Sequence, residues 1–398
     1  MSTTSEHRPH VAVIGAGIAG LAVAHRAVAR GLRTTVLDRG APGAATTGVA
    51  AGMLAPVSEA AFGERDLLAL NLAAAARWPA WAAELASDSG RDPGLCECGT
   101  LLVARDRDQA EALERELAFR RDCGLPAERL LPSQARAREP ALSPAVRLAL
   151  DVPGDHAADP ARLTAALVAA IERGGGTVRP DAEVVEIVVG ESRVRGVRVA
   201  GGAVVEADDL VIAAGPWSDG LAGLPAEARV PVRPVKGQTV RLRDPAGPGL
   251  LRRVIRSEEM YLVSRGDGRY VLGATVEERG FDTAVTAGAV HDLLREAAEL
   301  VPGVLELEIE ELRAGLRPGT PDNAPVLGPG ALPGLHWATG HYRHGILLAP
   351  VTGETVVAGI LGEAPPPEAA ACAASRFAPA REESREVAAV SGSPGGAA

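Results

Sequence analysis

Three glycines in Gly15-Ala16-Gly17-Ile18-Ala19-Gly20 directly follow the apolar run Val11-Ala12-Val13-Ile14, and an acid, Asp38, closes a second apolar run at Thr34–Leu37. Between the runs, Ala19–Arg30 carries apolar residues at helical spacing and stops at Gly31. The order is strand, tight turn, helix, strand, which confines the N-terminal region to a βαβ unit of an open α/β sheet. Each glycine has a mechanical role in that unit. Gly15 permits the tight turn, Gly17 lets backbone approach a pyrophosphate, and Gly20 lets helix and strand pack closely. The helix N-terminus offers amide donors and a favourable dipole to phosphates. Asp38 suits ribose hydroxyls and repels a 2′-phosphate, so an unphosphorylated adenosine ribose is expected. The pattern does not separate FAD from NAD.

Helical patterns rich in Ala, Leu, Glu and Arg occupy 64–86, 106–124 and Ala161–Arg173, the last ended by Gly174-Gly175-Gly176. Short β-rich segments follow at 183–189, 193–199, 203–213, 229–243, 254–263 and 269–275, and Asp267-Gly268 reads as a hairpin turn. A substantial antiparallel sheet is therefore expected in the second half. From 363 onward Pro, Ala, Ser, Gly and Glu dominate, and 363–398 reads as a disordered tail.

With 398 residues, 46% of them hydrophobic, the chain has material for two or more domains. A net charge of −10 with no sustained basic run argues against nucleic-acid binding and leaves a small molecule as the expected partner. Cys96, Cys98, Cys123 and Cys372 are too scattered for a disulfide framework and too poorly spaced for a zinc site, so they read as free thiols with no metal. The apolar stretch Val11–Ala24 is short, broken by glycines and ended by His25-Arg26, so no membrane segment is expected and the chain reads as cytoplasmic.

Further segments carry a family resemblance. They are Thr46-Thr47-Gly48-Val49-Ala50-Ala51-Gly52-Met53-Leu54-Ala55, Glu183-Val184-Val185-Glu186-Ile187, Val211-Ile212-Ala213-Ala214-Gly215-Pro216-Trp217-Ser218, and Gly340-His341-Tyr342-Arg343-His344-Gly345-Ile346-Leu347-Leu348-Ala349-Pro350. With Glu259-Met260-Tyr261-Leu262-Val263-Ser264-Arg265 and Gly315-Leu316-Arg317-Pro318, they resemble the D-amino acid oxidase superfamily of FAD enzymes, most closely its glycine oxidase branch associated with thiamine biosynthesis. The resemblance runs from about residue 10 to 362. It implies an α/β and α+β fold. A Rossmann-type FAD-binding domain would be assembled from 9–88, 150–228 and 324–362, and a substrate domain on a large antiparallel sheet from 89–149 and 229–323.

It also implies non-covalent FAD held by Gly15, Gly17, Ile18, Ala19, Gly20, Asp38, Arg39, Thr46, Thr47, Ala51, Gly52 and Met53. Val184, Ala214, Gly215, Trp217 and the loop His341, Tyr342, Arg343, His344, Gly345, Ile346 and Leu347 complete that set. A helix beginning near Pro350 would direct its positive end at the flavin edge that gains charge on reduction. The resemblance casts Arg317 as the clamp on a substrate α-carboxylate, Tyr261 as a second donor to it, and Arg343 as a neighbour on the amine side. Three positions depart from the family: His344 stands for a usual Asn, Glu259 for a histidine and Val276 for a methionine.

The implied reaction is oxidation of glycine or a similar small amino acid to the oxo acid, ammonia and hydrogen peroxide, with molecular oxygen as acceptor. The alternative substrates are sarcosine, a D-amino acid or an amino-acid intermediate of specialised metabolism. An FAD protein without turnover and an NAD-dependent dehydrogenase are the rivals from other classes. Related glycine oxidases form tetramers, but no homo-oligomer interface is legible here.

Overall fold

The computed structural model describes residues 9–378. Val11, Ala12 and Val13 are fully buried in the strand His10–Ile14, as expected where both faces of a parallel sheet are covered. That strand pairs in parallel with Arg33–Leu37 on one side and Asp209–Ile212 on the other. Thr177–Arg179 extends the sheet at one edge, and Leu335–Thr339 followed by Val326–Pro329 extends it at the other. Only the last pair in this six-stranded sheet is antiparallel.

Helices Ile18–Ala29, Arg65–Ser89, Pro160–Arg173 and Ala349–Leu361 cover one face through Leu21, Leu70, Trp78, Leu167 and Val356. The other face buries Ile14, Leu37 and Ile212 against a small antiparallel sheet of Val184–Gly190, Arg193–Val199 and Val204–Glu206. The expected single strand at 203–213 is therefore two. Val204–Glu206 leaves its side chains half-buried or exposed, whereas Leu210, Val211 and Ile212 are wholly buried in the parallel sheet. The change in burial pattern marks the crossing between sheets.

The second large sheet has eight strands, ordered Glu308–Gly319, Arg233–Arg243, Arg269–Gly273, Tyr261–Ser264, Val254–Arg256, Thr100–Ala104, Leu148–Val152 and Glu128–Leu130. It is mixed rather than wholly antiparallel, because Val254–Arg256 runs parallel to Thr100–Ala104 where two distant chain segments meet. The segment 254–263 also divides. Ser257 Oγ accepts hydrogen bonds from the Glu259 and Met260 amides, which closes a turn before Tyr261. Ser264 and Tyr270 pair across the hairpin that contains Asp267-Gly268. Helix Ala287–Leu300 covers this sheet with Leu293, Ala297 and Leu300. Because Leu148–Val152 is one strand, we propose that the domain boundary falls after Val152 rather than within it.

The C-terminal segment corrects the expectation of a tail beginning at 363. Pro367–Cys372 and Ala374–Phe377 form short 3₁₀ turns, and Ala369 and Cys372 are buried against the helical layer. Arg376 donates to the Asp322 carboxylate at 2.8 Å and to the Ala324 carbonyl at 2.8 Å. Two buried small side chains, one arginine and Phe377, which packs on the core beneath the sheet, supply the anchorage. Residues 379–398, also part of that expectation, lie outside the described residues. Among the described residues no helix is long and apolar enough to cross a membrane.

Candidate functional site

A cavity of about 1160 Å³ runs from the C-terminal ends of the central parallel strands to the face of the eight-stranded sheet. Small-molecule sites commonly occupy such positions, and this volume lies somewhat above their usual range of about 300–1,000 Å³.

The first end is made by the glycine turn. Gly15 has φ +108°, and a Cβ there would lie 2.4 Å from the Ala213 carbonyl oxygen. A Cβ at Gly20 would lie 2.0 Å from the Gly15 oxygen, so Gly20 permits packing and does not line the cavity. Gly17, Ile18 and Ala19 do line it. The Asp38 carboxylate accepts hydrogen bonds from the Ala16 and Gly40 amides at 2.6 and 2.9 Å, which fixes it at the cavity wall. Thr47 Oγ1 accepts from the Ile18 amide at 2.9 Å, joining the small-residue loop to the first turn of the helix. Farther along that loop, Gly52 has φ +80°, and a Cβ would lie 1.9 Å from the Ala158 oxygen.

Thr46, Thr47, Ala51, Gly52, Met53, Val184, Ala214, Gly215 and Trp217 all line the cavity. Arg39 lies over the Trp217 ring at 4.1 Å, and Phe281 stacks on the same ring at 6.0 Å. Phe281 thereby bridges from the loop after Arg269–Gly273 to the first layer. His341, Tyr342, Arg343, Gly345 and Ile346 form another wall, leading to the helix Ala349–Leu361 with Pro350 in its first turn. His344 and Leu347 sit behind that wall. The Leu347 carbonyl accepts from the Trp78 indole at 2.8 Å.

The other end is built on neighbouring strands of the eight-stranded sheet. Arg317 Nη1 donates to the Thr275 carbonyl at 3.1 Å and, with poorer geometry, to that of Lys236 at 3.4 Å. Gly237 makes room for its guanidinium, since a Cβ there would lie 2.5 Å from Nη1. Gly273 does the same for Tyr261, with its absent Cβ 2.5 Å from the hydroxyl. Burial raises the Tyr261 pKa, opposed by the adjacent Arg317 cation, so the phenol remains a neutral donor at neutral pH. Arg343 is an exposed rim residue 4.0 Å from Glu64. Its loop is tied to the Arg317 strand by the Tyr342 amide, which donates to the Pro318 carbonyl at 2.9 Å.

A family model described as FAD dependent oxidoreductase (DAO) matches residues 10–358. The chain belongs to this DAO family. The chain is 36% identical over 349 residues to the glycine oxidase of Geobacillus kaustophilus, covering 87% of this chain and 91% of that protein. It is 34% identical to the bifunctional protein ThiO/ThiG of Trichormus variabilis across 86% of this chain, and so spans about half (51%) of that protein's length. The crystal structure of the Geobacillus kaustophilus glycine oxidase superposes with a TM-score of 0.86 at 34% identity, covering 93% of this chain and 99% of that one.

As a DAO-family member the chain is an FAD-dependent oxidoreductase, and its residues fit that cofactor. The glycine turn leaves open the space a diphosphate needs: a Cβ at Gly17 would meet nothing closer than Thr47 Oγ1 at 3.5 Å. Asp38 lies where the ribose is expected, and the walls beyond it are small or flat.

The structure adds a residue that sequence reasoning missed. Glu59 lines the cavity with its side chain only 8% exposed, 3.6 Å from His344 Nδ1 and 3.9 Å from Arg256 Nη2. Its only sequence signal is a lone acid in the Gly52–Phe62 segment, whose other residues apart from Ser58 are apolar. The His344 departure thereby acquires a partner. Burial lowers the His344 pKa against the opposing pull of Glu59.

His341, next along the wall, is pushed down to about 4 by burial, with His344 adding to the effect, and its Nε2 is paired with Thr352 Oγ1 at 2.9 Å. Its folded pKa lies below the ordinary 6.5, so the unfolded chain binds the proton more readily. The associated stability is complete above pH 6.5 and is lost as pH falls toward 4, amounting to about 3 kcal/mol. We predict that the urea midpoint of the holoprotein falls across that window. His341→Gln, which cannot titrate, should show a shallower fall; an unchanged pH slope in the variant would assign the acid sensitivity elsewhere.

Proposed function

We propose that this chain oxidises glycine at its α-carbon, yielding glyoxylate, ammonia and hydrogen peroxide. The observation that carries the reading is the convergence of Arg317 and Tyr261 on one end of the cavity, with glycines on adjacent strands making room for both. A guanidinium beside a phenol is a planar donor set for an α-carboxylate. Similarity to glycine oxidase over most of both chains supports glycine as the substrate. Similarity to the ThiO/ThiG protein supports a place in thiamine thiazole biosynthesis.

In this reading Arg317 and Tyr261 hold the carboxylate, which orients the α-carbon. Glu59 faces the amine side and accepts a hydrogen bond from it. Met53 and Tyr261 wall the site and limit water. Bound FAD supplies the two-electron acceptor. Loss of two electrons and two protons from the amino acid leaves an imine, which water hydrolyses to the oxo acid and ammonia. Oxygen takes up the two electrons and two protons and becomes hydrogen peroxide. The chain contributes orientation and electrostatics.

One observation favours a second substrate. Val276 is 65% exposed at the cavity, where the family can place a longer methionine, and the shorter side chain leaves room for an N-methyl group. Sarcosine is therefore the alternative. A panel of glycine, sarcosine, D-alanine and D-proline, scored by peroxide release, tests the assignment. Glycine is expected to give the highest kcat/KM. A higher value for another amine would overturn glycine while leaving amine oxidation intact, and silence throughout would make the chain an FAD protein without this turnover.

A further inference from the structure

Leu95–Cys96 forms one edge of a small antiparallel sheet whose middle strand is His156–Ala158 and whose other edge is Met53–Leu54. Ala157 stands opposite both Met53 and Cys96, so the cysteine strand lies one strand away from a wall residue of the cavity. Two glycines in the left-handed region, Gly94 (φ +79°) and Gly99 (φ +74°), bound the segment. Within it the Cys98 amide donates to the Cys96 carbonyl at 3.0 Å. A hydrogen bond between residues i and i+2 folds the chain tightly and draws the two α-carbons toward the ~5.5–6 Å that disulfides prefer.

Both thiols are free and partly exposed. Cys98 packs on the apolar cluster of Ala51, Ala157, Val254, Val263 and Val271, which also supports Met53 and Tyr261. Arg265, whose Nη1 donates to the Ala158 carbonyl at 3.0 Å, reaches the strand that pairs with Cys96; the neighbouring Cys98 thiol and this guanidinium hold the Cys96 thiol well below the usual thiol range. Thiolate character in a partly exposed cysteine with a second thiol beside it is the arrangement that oxidants select. Cys372 is the reverse case: it is buried, and burial pushes its thiol up to about 11.

We propose that Cys96 and Cys98 are a site of reversible, hydrogen-peroxide-driven disulfide formation beside the substrate wall. The Cys96 thiolate attacks one peroxide oxygen; an S–O bond forms, the O–O bond breaks, and the departing hydroxide takes up a proton as water. Sulfur is oxidised by two electrons to the sulfenic acid and peroxide is reduced. Cys98 then attacks that sulfur; the S–S bond forms, the S–O bond breaks, and the Cys98 proton leaves with the hydroxide as a second water. The proposal takes its source of peroxide from the oxidase reading above, but the reactivity of the pair does not depend on it.

The test uses reduced FAD-loaded protein exposed to a small excess of added hydrogen peroxide, followed by alkylation and peptide mass analysis. The expected result is loss of two hydrogens confined to the peptide containing 95–99, reversed by dithiothreitol, at a rate at least tenfold above oxidation of Cys123 or Cys372. Cys98→Ser should stop at a sulfenic acid on Cys96 that dimedone captures, and Cys96→Ser should leave Cys98 alkylatable. Two persistently alkylatable thiols, or oxidation spread evenly over all four cysteines, would overturn the proposal. A parallel sample turning over glycine in air, with and without catalase, separates the two readings. If added peroxide closes the pair but glycine releases no peroxide, the dithiol stands and the glycine assignment fails.

Discussion

Arg317→Ala is expected to keep the flavin spectrum while lowering kcat/KM for glycine at least tenfold. The side chain's own hydrogen bonds go to two backbone carbonyls through Nη1, so truncation removes few contacts within the fold. What it removes is the charged donor beside Tyr261, and a charge-assisted contact is worth about 1.5–3 kcal/mol, with paired geometry favouring the upper end. Arg317→Lys should recover only part of the loss, because an ammonium keeps the charge but cannot reproduce the planar two-pronged match. Stopped-flow flavin reduction over a glycine series measures both variants, alongside an amine without a carboxylate whose weak reaction should change little. Unchanged apparent affinity for glycine in Arg317→Ala would make Arg317 structural, with Arg343 the next candidate.

The second large effect separates two glycines that a motif treats alike. Gly17→Ala should fold normally, since Gly17 has φ −75° and its new Cβ would meet only Thr47 Oγ1 at 3.5 Å. The methyl would project into the cavity where a diphosphate must approach backbone, so FAD affinity should fall at least tenfold, or about 1.4 kcal/mol. Gly20→Ala should act on the fold instead. Its Cβ would lie 2.0 Å from the Gly15 oxygen and 3.1 Å from Ala213 Cβ, which forces the turn to open at a cost of about 1–3 kcal/mol. Thermal midpoints of the apoproteins and FAD titrations distinguish them: an unchanged midpoint with weak FAD for Gly17→Ala, and a lowered midpoint for Gly20→Ala. Wild-type FAD affinity in Gly17→Ala would remove the diphosphate from that position.

These contrasts also show which parts of the site are legible in sequence. Gly15, Gly17 and Asp38 are readable because their roles are local: a positive φ, an open backbone and an acid at a strand end need only neighbours in the chain. The division at 203–213 is less legible, because two strands destined for different sheets are contiguous and only the change from half-buried to fully buried residues separates them. Glu59 is beyond such reading. Its partners His344 and Arg256 are remote in sequence, and an isolated acid in an apolar loop carries no periodicity. The same holds for Gly237 and Gly273, which look like ordinary strand glycines until the side chains of Arg317 and Tyr261 are seen to fill the space beside them. Composition misled at the C-terminal segment, where Ala369, Cys372, Arg376 and one large apolar side chain, Phe377, anchor the chain.

Anaerobic mixing of the purified FAD-loaded protein with glycine isolates electron transfer from the amino acid. The expected result is bleaching of the oxidised flavin band at a rate that saturates with glycine, with glyoxylate and ammonia formed in equal amounts to the flavin reduced, and return of the band on admission of oxygen. A flavin that stays oxidised at saturating glycine, in protein that dithionite reduces normally, would contradict it.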